Sequence, residues 1–133
     1  MSAPRLRRLA VAALATAMLA GCAHFVVLND ALKASEHNDL GVAYEANGRF
    51  DLAAHEYHHA LRLEPHNSRT RVNLGNVQAA RGQWRPAEKS FRRALQDSST
   101  NLDAMNNLAI ALLHRGRPGE ALPLAERAAA AGG

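Results

Sequence analysis

Residues 40–65 read Leu-Gly-Val-Ala-Tyr-Glu-Ala-Asn-Gly-Arg-Phe-Asp-Leu-Ala-Ala-His-Glu-Tyr-His-His-Ala-Leu-Arg-Leu-Glu-Pro. Apolar residues recur there at helical spacing, first at Leu40, Ala43, Tyr44 and Ala46, then at Leu52, Ala53, Tyr57, Ala60 and Leu61. That pattern puts one apolar stripe on each of two helices. Asn47-Gly48-Arg49 stands between the runs and supplies the left-handed residue with which a helix ends. Glu64-Pro65-His66-Asn67-Ser68 breaks the second run, because proline lacks the N–H that a continuing helix needs. The stretch predicts a helical hairpin.

The hairpin recurs along the chain. A shift of 34 residues aligns Leu40 with Leu74 and Leu108, Gly48 with Gly82 and Gly116, Ala53 with Ala87 and Ala121, and Ala60 with Ala94 and Ala128. Columns kept in register over three units mark a repeat array. Arg81-Gly82-Gln83 and Arg115-Gly116-Arg117 repeat the turn, and Asp97-Ser98-Ser99-Thr100-Asn101 separates the second unit from the third. Pro86 and Pro118 fall near the start of second helices, where the missing N–H costs little. Of 133 residues 47% are hydrophobic but only 5% aromatic, so small side chains must pack helices closely. The expected fold class is all-α, an α-solenoid of three hairpins at residues 34–67, 68–101 and 102–133.

These units resemble tetratricopeptide repeats. Repeat one carries Leu40, Gly41, Tyr44, Ala53, Tyr57, Ala60 and Pro65 at the family's positions, with His37 where tryptophan is usual. Repeat two keeps Leu74, Gly75, Ala87, Phe91 and Ala94, with Gln78 for the tyrosine and Ser99 for the proline. Repeat three keeps Leu108, Ala121 and Ala128, while Ala109, Leu112 and Ala125 replace glycine, tyrosine and the aromatic residue. The resemblance implies a non-catalytic scaffold whose concave groove, lined by the first helices, takes a peptide or a protein face. Its groove positions are Asn38, Asp39, Val42 and Glu45 in repeat one, Arg69, Val72, Asn73 and Asn76 in repeat two, and Asp103, Asn106, Asn107 and Ile110 in repeat three. Asn73 and Asn107 share a column, and asparagine amides offer a donor and an acceptor to any peptide backbone; tying adjacent helices together is their other reading. Repeats that clamp a chaperone's terminal carboxylates use lysine and arginine in columns that hold Asn38, Asp103 and Asn107 here, and Asp103 repels a carboxylate. Trp84, like Phe50 in its column, is read as hairpin core.

Ahead of the repeats, Arg5-Leu6-Arg7-Arg8 precedes an uncharged run from Leu9 to Leu19, the charged and apolar parts of an export signal and too short to span a bilayer. Leu19-Ala20-Gly21-Cys22 closes that run and resembles the lipobox of bacterial lipoproteins. The resemblance implies cleavage of residues 1–21, lipidation of Cys22 and a membrane anchor. Ala23 after the cysteine, rather than aspartate, implies the periplasmic face of the outer membrane. Residues 22–33 are then a linker or a short capping helix, with Phe25, Val26 and Leu28 to cover repeat one. At the other end Leu122, Ala125 and Ala129 lack a covering helix, which predicts self-association or a partner through the C-terminal hairpin.

Removal of Arg5, Arg7 and Arg8 leaves 13 basic against 12 acidic residues, so a near-neutral mature chain argues against nucleic acid as a partner. The charges are unevenly spread. Residues 34–67 hold two basic and six acidic residues, residues 68–101 seven basic and two acidic, and residues 102–133 three of each. One reading is complementarity between hairpins, foremost across the junction of repeats one and two. The other is a basic patch that steers an acidic partner or lipid headgroups.

Cys22 is the single cysteine, which excludes intrachain disulfides and thiolate zinc sites. His55-Glu56-Tyr57-His58-His59 matches H-E-x-x-H, in which two histidines one turn apart bind zinc and the glutamate activates water. The extended motif wants Gly and His where Arg62 and Pro65 stand. The segment belongs to the second helix of repeat one, where His55 and His59 are expected on the solvent side as at most a weak metal pair. No cofactor and no catalytic residue is expected. The sequence reads as a lipid-anchored scaffold for a pilus or secretion assembly at the outer membrane, similar to pilus-assembly lipoproteins with these repeats. Adaptors of periplasmic peptidoglycan enzymes or proteases are the alternative, and a zinc hydrolase built on the histidine segment a remote one.

Overall fold

The structure, a computed structural model, describes residues 32–132. Six helices follow one another: α1 Ala34–Ala46, α2 Phe50–Leu63, α3 Ser68–Ala80, α4 Trp84–Asp97, α5 Leu102–His114 and α6 Pro118–Gly132. Every regular element among the described residues is helical, so the expected all-α class holds there. The signal segment, Cys22 and residues 23–31 of the expected cap lie outside the described residues, while Leu32 and Lys33 precede α1 without helical structure. No described helix is long and apolar enough to cross a membrane.

Each turn between paired helices is built the same way. The amide of Gly48 donates to the Glu45 carbonyl at 2.9 Å and that of Arg49 to the Tyr44 carbonyl at 2.8 Å, and Gly82–Gln83 and Gly116–Arg117 repeat the pair. The crossed bonds require a left-handed residue, and the three glycines have φ of 70°, 72° and 71°. The starts of α3 and α5 are capped by asparagine: Asn67 Oδ1 accepts from the Thr70 amide at 3.0 Å and Asn101 Oδ1 from the Ala104 amide at 2.9 Å. These bonds satisfy donors that a helix N-terminus leaves unpaired.

Inside the hairpins the aromatic residues decide the helix spacing. Tyr57 and Phe91 are almost fully buried and lie over Gly41 and Gly75, where a Cβ atom would stand 2.5 Å and 2.4 Å from ring carbons. Repeat three has Ala109 in the glycine column and Ala125 in the aromatic column, so the missing ring makes room for a methyl group. Val77, Leu108 and Leu112 complete the core.

Successive hairpins stack through α2 on α3 and α4 on α5. The first helices also approach one another, α1 to α3 and α3 to α5, whereas α2, α4 and α6 make no such approach among the described residues. The array therefore curves with the first helices on its concave side and the second helices splayed on its convex side. Pro118 opens α6 and Pro123 lies inside it, where it removes the bond to the Gly119 carbonyl. Leu122 is 61% exposed and Ala125 and Ala129 are exposed. In repeat two the counterparts of Leu122 and Ala125, Glu88 and Phe91, are buried, and that of Ala129, Leu95, is half-buried.

Candidate functional site

The concave face is built from the outward positions of α1, α3 and α5. Asp39, Arg69, Asp103 and Asn106 are exposed, and Asn73, Asn76 and Asn107 are half-buried. Val42 and Ile110 are 46% and 48% exposed. Val72 and Asn38 differ from the rest of the expected groove set, since both are buried. Asn38 Oδ1 instead accepts from Thr70 Oγ1 at 3.1 Å and from Asn73 Nδ2 at 3.0 Å.

The asparagines thus bridge neighbouring first helices. Asn73 ties α3 to α1 through Asn38, and Asn107 Nδ2 donates to Asn76 Oδ1 at 2.8 Å, tying α5 to α3. Each bridge uses one N–H and one carbonyl, and an amide has two N–H groups and two lone pairs. The bridges fix the orientation of the amides while Asn73, Asn76 and Asn107 keep partial exposure. Glu45 is held by Tyr57, whose hydroxyl donates to Oε2 at 2.8 Å. Burial pushes the Tyr57 hydroxyl pKa far up and this carboxylate adds to the shift. Leu113, 55% exposed, extends the apolar side of the groove beyond Ile110. Sequence reasoning missed it, although the shift that aligns repeats carries Glu45 onto Ala79 and Leu113.

The histidine segment is divided between surface and interior. His55 projects to solvent with 64% side-chain exposure, whereas His59 is half-buried and stacks on His37 with ring centroids 5.0 Å apart. The expectation that both face solvent holds for His55 and only in part for His59, whose ring lies 4.5 Å from that of His55 while α1 presents the buried His37 on its other side. Glu56 Oε2 bonds His37 Nδ1 at 2.7 Å. Burial raises its carboxyl pKa, but the hydrogen bonds from His37 and His55 outweigh that and hold it below the usual range. The carboxylate on which water activation would depend is thus turned into the hairpin. Among the described residues no group of three or more His, Cys, Asp or Glu is placed to hold a metal ion. Burial and the neighbouring Arg62 push the His58 imidazole pKa down.

Charge complementarity does join hairpins, though its main network lies at the junction of repeats two and three rather than one and two. At the first junction Arg81 pairs with the exposed Asp51 at 2.7 Å. At the second, buried Glu88 takes bonds from Arg92 Nε at 2.8 Å, from Arg117 Nη1 at 3.0 Å and from Arg115, and Glu120 joins Arg92 to Arg117. Burial works against the Glu88 anion, yet the bonds from Arg92 and Arg115 bring its pKa below the ordinary carboxylate value. Trp84 is half-buried on the core as expected, and its indole stacks on His114 with centroids 3.7 Å apart.

Comparison with known proteins agrees with this architecture. No curated protein sequence matches the chain. The first TPR of Spaghetti (RPAP3), bound to the HSP90 peptide SRMEEVD, superposes with a TM-score of 0.74 at 20% identity, covering 79% of this chain and 83% of that one. MamA superposes with a TM-score of 0.74 at 20% identity, covering 80% of this chain and 62% of its own. A MamA mutant gives 0.69 at 27% identity, covering 78% and 77%. The sequence model of the tetratricopeptide repeat matches residues 38–101 and 72–133, and with that span the chain belongs to the tetratricopeptide repeat family.

Proposed function

We propose that the concave face binds an extended, uncharged or basic peptide segment of a partner protein, making the chain an interaction scaffold. The observation that carries this reading is the ladder of oriented Asn73, Asn76 and Asn107 amides beside the exposed apolar side chains of Val42, Ile110 and Leu113. Oriented amides pair with a peptide backbone, and apolar neighbours accept alternate side chains. The Spaghetti repeat domain holds an acidic peptide. In this chain Asp39 and Asp103 are exposed on the groove side of α1 and α5 against Arg69 on α3, a balance that disfavours an acidic ligand.

The lipobox-like segment ending at Cys22 supports a lipid anchor, and Ala23 after it the periplasmic face of the outer membrane. A scaffold so anchored serves the assembly of a pilus or secretion system, bringing an envelope component to the membrane. The test is photo-cross-linking in intact cells from a photoreactive residue replacing Asn76, followed by mass spectrometry, with Cys22→Ser as the control. Capture of a pilus or secretion component that depends on Cys22 supports the reading. Capture of a peptidoglycan enzyme or protease refutes the assembly role, and no capture from this position refutes the groove as the working surface.

A further inference from the structure

On the convex side, the splay between α2 and α4 leaves a cleft of about 460 Å³ with α3 as its floor. Leu61, Pro65, Leu74 and Pro86 give it apolar walls, and Arg62, Arg71, Lys89 and Arg93 are its charged residues. Among the described residues no carboxylate lines it. Arg71 is engaged, with Nε on Asp97 Oδ2 at 2.6 Å and a bond to the Pro65 carbonyl. Arg62 bonds His59 Nδ1 at 2.6 Å, and an imidazole carries no negative charge to offset the guanidinium. Among the described residues, Arg62, Lys89 and Arg93 have no carboxylate partner.

The next junction is a contrast, because its cations are neutralised. There Glu88 and Glu120 take up Arg92, Arg115 and Arg117. One repeat earlier Ala54 and Pro86 hold the positions of the two acids, and His58, Arg81 and Gln83 those of the three cations; Arg62, Lys89 and Arg93 stand in other columns, with no acid at the Glu88 and Glu120 positions to offset them. Three like charges around one concavity repel one another and raise the local potential for an anion.

We infer that the α2–α4 cleft is an anion site that takes a phosphoryl group, held by the guanidiniums of Arg62 and Arg93 and the ammonium of Lys89. Phosphoryl chemistry fits better than a single carboxylate. A phosphomonoester carries up to two charges on three acceptor oxygens, which matches two donor forks and a point charge, while a carboxylate offers two oxygens and one charge. The apolar walls accept the uncharged part of a phosphoester. The site lies on the face opposite the groove and does not depend on what the groove binds.

The full chain is titrated with inorganic phosphate at constant low ionic strength, with chloride as the balancing anion, and its melting temperature is followed. The expected result is a saturable rise with phosphate over chloride, its midpoint weakened about tenfold or more in Arg93→Gln/Lys89→Gln, as loss of two charge-assisted contacts implies. Arg49→Gln, an exposed arginine outside the cleft, leaves the midpoint unchanged. A second arm uses Cys22→Ser protein and vesicles of phosphatidylcholine with or without phosphatidic acid, whose headgroup is a phosphomonoester. Variant-sensitive binding to the anionic vesicles identifies a membrane headgroup as the source, and phosphate binding without vesicle binding identifies a soluble phosphoester. No saturable phosphate effect, equal weakening by Arg49→Gln, or tighter binding of a glutamate-rich peptide than of phosphate overturns the assignment.

Discussion

Two residues show how little slack the hairpins have. Gly41 sits under the Tyr57 ring, where a Cβ atom would stand 2.5 Å from Cε1, so Gly41→Ala must displace a fully buried ring. Overpacking of this kind costs about 1–3 kcal/mol, against about 1 kcal/mol that alanine gains in a helix interior. The expected net loss is up to about 2 kcal/mol in urea unfolding, whereas Ala109→Gly, with no ring above it, loses about 0.5–1 kcal/mol. A stabilised Gly41→Ala would show that Tyr57 does not pack there. Glu88 makes a second prediction at this scale. Burial raises its pKa and the bonds from Arg92 and Arg115 more than reverse this, so its folded pKa lies below the unfolded value of 4.5. A depressed carboxylate contributes stability above the unfolded pKa and loses it as the pH falls through the folded one. Glu88→Gln should therefore cost about 1.5–3 kcal/mol at pH 7, the range for hydrogen bonds to charged groups. The gap to the wild type should narrow on acidification below about pH 4.5, and a gap independent of pH would mean that the arginines do not act on the anion.

Among the described helices, α6 has the fewest packing partners. It stacks on α5 and meets α4 through the Glu120–Arg92 pair, carries Pro123 and leaves Leu122 exposed. Its amides should exchange with solvent faster than those of α3 and α4, which are covered on both sides, and hydrogen exchange read helix by helix checks this. The bare face should also drive concentration-dependent self-association at micromolar concentrations, abolished by Leu122→Glu. A sedimentation coefficient that stays constant with concentration in the wild type would contradict it. The helices themselves were legible in the sequence, because the periodicity of Leu, Ala and aromatic residues and the three turn glycines are local signals. The column that Leu122 shares with Ala54 and Glu88 was legible too, from the repeat register. Less visible was the partnering of polar groups. Asn38 reads as a groove residue by position, and only the angle between α1 and α3 turns its amide toward Thr70 and Asn73. Likewise, H-E-x-x-H spells a metal motif until His37, from another helix, engages Glu56.

For the whole molecule, a linear array couples each hairpin only to its neighbours, so the cost of a lesion depends on where it falls. Phe91 is 1% exposed in the central repeat and packs in one cluster with Leu108, Leu112 and Ala121 of repeat three. Phe91→Ala should cost about 3–5 kcal/mol and lower the unfolding midpoint of the entire chain, because the hairpins on both sides lose the same neighbour. Ala129→Pro places a disruption of about 3 kcal/mol in the terminal helix instead. There the expected result is loss of the helical signal of α6 while α1–α5 keep a cooperative transition. Trp84, stacked on His114 between α4 and α5, reports that inner transition by fluorescence, and circular dichroism reports the total. In Phe91→Ala the two signals should fall together at a lower midpoint. In Ala129→Pro the dichroism should start lower while the fluorescence midpoint moves by much less than in Phe91→Ala. Equal displacement of the fluorescence midpoint by the two variants would mean that coupling extends undiminished from α6 across the array, and that a ligand at either end can be felt along its full length.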